Sequence, residues 1–244
     1  MFESTEILII FALFTVAILY SSVGHGGASG YLAVMALLAV APAVTRPAAL
    51  VLNLFVASIA FIQFYRAGHF DWRVFAPFAA ASVPMAFVGG MIQIPTTVYK
   101  IILGVVLMLA AIRLAINLKT TGEPRAPQIW LALIIGAIIG LLSGLIGVGG
   151  GIFLTPVLLL ANWAEMKKAA GISAMFILVN SISGLFGNYA QALELPVSVW
   201  TWIFAAVAGG FIGSILGSRR FDSLTLRRVL AVVLAIAGVK LIFT

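Results

Sequence analysis

Two glycine-rich clusters carry the residues of this sequence best suited to bind a small ligand. Residues 21–30 read Ser-Ser-Val-Gly-His-Gly-Gly-Ala-Ser-Gly, and residues 142–151 read Leu-Ser-Gly-Leu-Ile-Gly-Val-Gly-Gly-Gly. Glycine lets the backbone adopt positive φ and lets a ligand approach closely. A half-helix that begins after each cluster directs its free N–H groups and positive dipole end at the break. Two such ends suit a small oxyanion; the alternative is close helix packing through glycine.

Polar side chains accompany these clusters. His25 lies inside the first cluster, where the second has Val148. A buried imidazole can hydrogen-bond to an anion or exchange a proton near neutral pH, or it can simply satisfy broken backbone. Asn53 and Asn180 lie within apolar runs, where polar groups either tie helices together or face a cavity. Other polar residues within such runs are Ser173, Ser181 and Ser183. The predicted substrate-binding residues are Gly24, His25, Gly26, Gly27, Ser29, Asn53, Gly147, Gly149, Gly150, Gly151, Ser173 and Asn180.

Arg46 and Lys168 occupy matching places, each just before a long apolar run. They are predicted to attract anions at opposite mouths of the protein. The alternative is anchoring at the membrane interface by snorkelling.

Several reaction types lack the residues they need. All seven carboxylates fall at segment ends or in loops, so a carboxylate proton relay within the membrane is not expected. The sequence has no cysteine, no phosphate-binding loop and no His-rich metal site. We therefore predict that the protein is not an enzyme and uses no metal or cofactor.

The composition predicts an all-α polytopic membrane protein. Of the 244 residues, 63% are hydrophobic and only 9% are charged, too little charge to cover a water-soluble globule. The formal net charge of +7 is spread singly or in pairs between apolar runs, so no nucleic-acid partner is expected. The N-terminal run, whose early charges are Glu3 and Glu6, is expected to be the first membrane helix and not a cleavable signal. Predicted segments are 5–22, 28–42, 47–66, 73–93, 97–117, 128–146, 151–163, 169–190, 197–217 and 224–243.

The chain divides into two similar halves. A polar linker, 119–127, separates a first repeat, 1–118, from a second, 128–244. The glycine clusters, Arg46 with Lys168, and the Gly-Gly pairs at 89–90 and 209–210 recur in one order; the Gly-Gly pairs are expected to serve close helix packing. Five segments per half, two of them short half-helices or re-entrant segments after the glycine clusters, predict inverted-topology repeats. Four full crossings per half would make the repeats parallel instead.

The basic residues predict an orientation in a cell inner membrane. With both termini outside, the inside loops are 66–73, 113–125, 164–168 and 219–228, which hold most of the arginine and lysine. The outside loops are nearly uncharged, and Arg46 is the one basic residue left outside. This distribution follows the positive-inside rule.

The second cluster, together with the segment Lys168-Ala-Ala-Gly-Ile-Ser173, resembles the TauE/SafE sulfite exporter family, also called the TSUP family. The run from Gly144 to Pro156 is similar to the family's glycine-rich signature, and Gly147, Gly149, Gly150, Gly151 and Pro156 are the positions carried over. The first half departs from it, with Met35 near the place where a proline is expected, which indicates a subgroup. The resemblance implies transport of sulfite, sulfoacetate or another small sulfur-containing anion.

The sequence as a whole predicts a secondary transporter for such an anion, with the lipid bilayer as its solvent and small-residue faces that permit a homodimer. Alternating access would come from one half rocking against the other. The alternatives are an anion channel and a carrier for a different small solute.

Overall fold

The structure is a computed structural model that describes residues 4–22, 27–116, 124–219 and 224–243. Gly24, His25 and Gly26 lie outside the described residues, as do residues 119–123 of the predicted linker. Within the described ranges the chain is helical and contains no strand. The helices are α1 (Ser4–Ser22), α2 (Ala28–Leu37), α3 (Pro42–Arg66), α4 (Trp72–Met91), α5 (Thr96–Ala115), α6 (Ile129–Ile146), α7 (Gly151–Leu160), α8 (Met166–Gly187), α9 (Tyr189–Leu193), α10 (Ser198–Arg219) and α11 (Leu224–Phe243).

The helices confirm the predicted apolar segments, with small shifts at their ends. Helix α3 begins at Pro42, ahead of the predicted start at 47, because proline is well suited to the first position of a helix. Helices α2 and α7 end at Leu37 and Leu160, before the predicted ends. Among the described residues, five helices are long and apolar enough to cross a membrane: α3, α4, α6, α8 and the Ser198–Ile215 part of α10.

The two short helices, α2 and α7, repeat each other in detail. Each has 10 residues and begins after a left-handed glycine, Gly27 with φ 83° and Gly150 with φ 82°. Each is followed by a left-handed non-glycine residue, Ala39 with φ 58° or Asn162 with φ 54°. Both C-termini are closed by the same pair of hydrogen bonds, typical of a Schellman motif. These bonds are Ala39 N to Ala36 O, Val40 N to Met35 O, Asn162 N to Leu159 O and Trp163 N to Leu158 O.

Glycine lets two helix pairs pack backbone to backbone. Helix α6 places Gly136, Gly140 and Gly144 against the carbonyls of α4, where any Cβ would overlap an oxygen. Helix α10 meets α1 in the same way through Gly209 and Gly213. Close backbone approach is a main source of helix association in lipid. The packing role predicted for the Gly-Gly pair at 89–90 and for Gly209 is confirmed, because their Cβ positions fall on backbone atoms of neighbouring helices.

Helices at matching places in the two halves cross antiparallel. Helix α3 lies along α8 with Asn53 beside Ser181, and with Phe64 beside Gly171. Helix α5 lies along α11 in the same manner, since Gly104 contacts Ile242 and Gly238 contacts Met108. Helix α3 begins and α4 ends at what we call the Ile92 end. Helix α3 ends and α8 begins at the His69 end.

Two hydrophobic cores each combine helices from both halves. The larger joins α1, α2, α3, α5, α10 and α11, and it also includes Ile146, Val148 and Ile152 at the second glycine break. The smaller joins α4, α6, α7 and α8. Large apolar side chains are exposed on the outer surface, including Phe11 at 67% and Phe204 at 73%. Such a surface matches lipid as its solvent.

Candidate functional site

The second glycine break lies against polar side chains of α3 and α8. Gly147 and Gly149 have left-handed backbone conformations, with φ of 90° and 79°. They lie in the segment that links the end of α6 to the start of α7. A Cβ on Gly149 would stand 3.0 Å from Asn53 Nδ2 and 3.1 Å from Ser181 Oγ. Asn53 Nδ2 also donates to Ser181 Oγ at 3.3 Å. Both side chains are fully buried, so an amide and a hydroxyl face the break directly.

Ser173 is connected to the same break by its contact with the first turn of α7. Its hydroxyl hydrogen-bonds with Thr155 Oγ1 at 2.8 Å, and Thr155 Oγ1 donates to Gly151 O at 3.0 Å. A Cβ on Gly151 would stand 3.3 Å from Ser173 O. Ser173 therefore holds the first turn of α7 against α8. Asn180 is buried one residue before Ser181, and its Nδ2 donates to Phe176 O at 2.8 Å within its own helix.

The first glycine break is lined by tyrosines. The ring of Tyr31 covers the side of Gly27, where a Cβ would stand 2.6 Å from the phenol oxygen. Ser29 Oγ donates to Tyr20 OH at 3.0 Å, and all three side chains are buried. The polar groups beside the first break are thus phenol and alcohol hydroxyls, whereas those beside the second break are an amide and a serine hydroxyl.

The two breaks meet at one small central cavity. Gly27 and Ser29 line it from the first break, Val148 and Ile152 from the second, and Tyr20 from α1. Its volume is about 10 Å³, and a cavity needs at least roughly that much to hold a single water. The protein is therefore closed around the point where the two half-helices begin.

Hydrogen-bonding groups without a partner lie beside both glycine breaks. Neither Gly27 nor Gly150 caps its helix with a side chain, and the first N–H groups of a helix have no partner within it. Tyr31 OH, next to Gly27, and Asn53 Oδ1, whose amide is next to Gly149, are buried without a partner, as is Asn180 Oδ1. Most buried polar atoms in proteins are satisfied, so these groups are candidates to bind a polar ligand. Rotation of the Asn53 amide would present Nδ2 to an anion.

Arg46 lies inside the protein and not at an open mouth. The residue is 4% exposed, and its guanidinium donates to four backbone carbonyls. They are Gly144 O at 3.1 Å, Ile92 O at 3.0 Å, Gly89 O at 2.7 Å and Gly90 O at 2.6 Å. The side chain therefore ties the end of α4 to α6. It also stands behind the second break, because a Cβ on Gly147 would lie 3.3 Å from Arg46 Cγ.

Lys168 lies in the first turn of α8 at the His69 end and is partly exposed. Burial lowers the pKa of His69, and the positive charges of Lys167 and Lys168 lower it further, against the opposing effect of Glu165. Lys168 therefore belongs to a solvated basic loop, in contrast to its sequence match, Arg46. Within the part of the chain that is described, no group of three or more histidine and carboxylate residues is placed to hold a metal ion.

The sequence matches the family profile described as sulfite exporter TauE/SafE over residues 9–241. The chain belongs to the sulfite exporter TauE/SafE family. A probable membrane transporter protein of Sinorhizobium fredii is 40% identical over 237 residues, covering 95% of this chain and 96% of that protein. A probable membrane transporter protein of Methanocaldococcus jannaschii is 30% identical over 128 residues, covering 51% and 48%. No solved structure matches.

The family match spans both glycine breaks and both hydrophobic cores. It confirms the resemblance predicted from the second cluster, and the TauE/SafE family and these relatives are described as membrane transporters. Pro156, carried over from the signature, lies within α7. It has no N–H to donate to the carbonyl four residues earlier, near the start of that helix.

Several polar residues beside the breaks are not among the binding residues predicted from the sequence. Ser181 is a polar residue in an apolar run, and it contacts Asn53 beside Gly149. The sequence does not single out Tyr20 or Tyr31, because tyrosine is ordinary in membrane segments. The sequence signal for Tyr31 is its spacing, because it lies four residues after Gly27, about one helical turn along the same face.

Proposed function

We propose that this protein is a secondary transporter that carries a small sulfur-containing anion, such as sulfite, sulfoacetate or another organosulfonate, across the inner membrane by alternating access. One observation carries the proposal: two helices begin at left-handed glycines without side-chain caps, and the starts of both line the same central cavity. Helix N-termini with free N–H groups favour anions through hydrogen bonds and the helix dipole.

The proposed anion site lies between the N-termini of α2 and α7. Backbone N–H groups from 26–30 and 149–153 would bind the oxyanion, with Ser29 on the first side and Asn53 and Ser181 on the second. These groups are neutral donors in a water-poor interior, where hydrogen bonds to a charged ligand are strong. The sulfur chemistry of the substrate is supported by the family description.

Transport requires the closed cavity to open alternately to each face. An inverted-topology repeat supplies two equivalent conformations for this purpose, and the antiparallel crossing of α3 with α8 and of α5 with α11 supports that topology. The packing favours a different moving unit from the predicted halves, because each hydrophobic core mixes helices from both. We therefore propose that α4, α6, α7 and α8 move together against the remaining helices.

The orientation and coupling of transport are also part of this proposal. Both termini lie outside an inner membrane, as the basic residues of the His69 end favour. A proton travels on His25 or on the substrate, or transport is uniport. A homodimer remains a proposal from the exposed small-residue faces.

Counterflow in proteoliposomes tests the proposal. Labelled sulfite outside should accumulate only when an unlabelled anion is trapped inside, and sulfate, thiosulfate, taurine and sulfoacetate as trapped competitors would rank the substrate class. A flux of sulfite without counterflow would identify an anion channel. No anion-driven accumulation in sealed vesicles would favour a carrier for a different solute and would reject the sulfur-anion proposal.

His25→Ala tests the one ionisable side chain in the first cluster. We expect reduced counterflow with unchanged thermal stability in detergent, because the imidazole is proposed to bind the anion or carry a proton. Unchanged transport kinetics would remove His25 from the site.

A further inference from the structure

A second, larger cavity opens at the Ile92 end of the bundle. It has a volume of about 230 Å³, room for about seven water molecules at their liquid density. It lies where α3 and α5 begin and where α2 and α11 end. We call it the Lys100 cavity, and its polar lining consists of Thr45, Thr96, Tyr99, Lys100 and Lys240.

The charges around the Lys100 cavity favour an anion. Neither α3 nor α5, which begin here, has a side-chain N-cap, so both direct free N–H groups and positive dipole ends toward this region. Lys240 Nζ donates to Leu37 O at 2.9 Å and Ala36 O at 3.3 Å, which offsets the negative end of α2. The partly exposed Lys100 adds a further positive charge, and no acidic residue is among the described lining residues.

These lysines correct the predicted charge distribution. The loops predict that Arg46 is the one basic residue outside the membrane. Lys100 and Lys240, however, line a cavity together with Thr45, the residue directly before Arg46. Basic residues are disfavoured on the outer side of a membrane protein, so two lysines at one cavity there call for a local reason. An anionic ligand supplies one.

The floor of the Lys100 cavity touches the second glycine break. The buried ring of Tyr99 lines the cavity, and its hydroxyl donates to Ile146 O at 3.2 Å, directly before Gly147. Thr45 forms the adjoining wall, and a Cβ on Gly147 would lie 2.9 Å from the carbonyl oxygen of Arg46. A ligand in this cavity is therefore one layer of side chains away from the central site.

We propose that the Lys100 cavity is an outer binding site where a small oxyanion is held before it passes Tyr99 to the central cavity, with Lys100 as the attracting charge. This inference rests on the proposed function. The shared chemistry is a singly or doubly charged oxyanion. It can come from a free anion in solution or from the phosphate of an anionic lipid.

The cysteine-free sequence permits a direct test by charge replacement. Lys100→Cys should raise the KM for sulfite about threefold to tenfold from the Ile92 side, because a charged cleft concentrates its ligand. Alkylation with (2-bromoethyl)trimethylammonium, which forms a thioether that sulfite does not cleave, should restore the KM once excess reagent is removed, and alkylation with iodoacetate should raise it further. Lys167→Cys, an exposed lysine at the His69 end, is the matched control and should respond to neither reagent from the Ile92 side.

Protection from labelling identifies the source of the anion. In phosphatidylcholine vesicles with the reagent supplied on both sides of the membrane, sulfate, an oxyanion that does not react with the reagent, should slow modification of Lys100→Cys and leave that of Lys167→Cys unchanged. Protection only after phosphatidylglycerol is added would assign the cavity to a lipid phosphate and overturn the substrate role. Counterflow with unaltered KM and no protection by any anion would overturn the site itself. If counterflow is absent, slower labelling of Lys100→Cys in the presence of any of several anions still shows that the cavity binds anions. Failure of the transport proposal can thus be distinguished from failure of the proposed cavity site.

Discussion

The two glycine breaks share a backbone and differ in the side chains around it. Both lead from a left-handed glycine into a helix of 10 residues closed by the same C-terminal motif. At the first break the neighbouring groups are the hydroxyls of Tyr20, Ser29 and Tyr31. At the second they are the Asn53 amide and the Ser181 hydroxyl. The helix starts proposed to bind the anion are thus duplicated, whereas the side-chain donors differ between the two breaks.

The basic residues at matching places in the two predicted halves, Arg46 and Lys168, differ even more in their contacts. A buried guanidinium stands behind the second break and holds four carbonyls, whereas its sequence match, Lys168, lies partly exposed in a basic loop. A buried charge without its hydrogen-bond partners is costly, so Arg46 depends on the carbonyls as much as they depend on it. The two breaks therefore share a backbone conformation, whereas the side chains that support them differ.

Arg46→Met should give the largest loss of stability. It removes the guanidinium donor from the carbonyls of Gly89, Gly90 and Gly144, and each buried acceptor left unsatisfied costs about 1–3 kcal/mol in free energy of unfolding. Thermal unfolding of the purified protein in detergent measures the change. Arg46→Lys keeps the charge without the planar fork and should give an intermediate loss. Lys168→Met is the matched control, expected within about 0.5 kcal/mol, and equal losses in the two methionine variants would contradict the asymmetry.

Gly150→Ala and Gly27→Ala should destabilise the two breaks to a similar extent. A left-handed alanine costs about 1–2 kcal/mol, and overpacking adds about 1–3 kcal/mol. The new Cβ would stand 2.8 Å from the ring of Phe176 or 2.6 Å from that of Tyr31. Gly68→Ala is the control for backbone strain alone, because its φ is 75° and nothing lies within 4 Å of its Cβ position. Unfolding temperatures that match Gly68→Ala would show that neither break is tightly packed.

A double-mutant cycle on Asn53→Ala and Ser181→Ala should show a coupling of about 0.5–1.5 kcal/mol, the usual net worth of a buried hydrogen bond. The parallel cycle on Tyr20→Phe and Ser29→Ala tests the first break by the same measurement. We also expect the Asn53 variant to raise the KM for the transported anion, since its amide faces Gly149. Zero coupling across α3 and α8 would remove this contact from the site.

Tyr31→Phe should have the smallest effect on stability, with the opposite sign. Its hydroxyl is buried without a partner, so removing the oxygen is expected to raise the free energy of unfolding by up to about 1 kcal/mol. Transport should weaken severalfold if that hydroxyl binds the anion. A destabilised variant with normal counterflow kinetics would instead indicate a structural hydrogen bond.

Local features of the fold could be predicted from the sequence. Apolar runs placed the helices, since about 20 apolar residues span a bilayer. The glycine clusters placed the two short helices at Ala28 and Gly151, because glycine tolerates the left-handed turn that begins each one.

Long-range contacts could not be predicted. The partners of Arg46 and of Asn53 lie 43 to 128 positions away. Hydropathy does not distinguish a basic residue at the interface from one that binds buried carbonyls, so the burial of Arg46 could not be predicted. The sequence does not single out Lys100 or Lys240, because each lies alone in its apolar run. The fold brings both lysines to one cavity.

The mixing of both halves in each hydrophobic core has a consequence for biosynthesis. Helix α1 packs along α10, and α4 along α6, so the first repeat leaves the ribosome before the surfaces it must cover exist. The faces of α1 and α4 that receive the glycines of α10 and α6 stay in contact with lipid or with the insertion machinery until the second repeat is translated. A truncated first repeat is therefore expected to be recognised by membrane quality control, and co-expression of the two repeats as separate chains should rescue both.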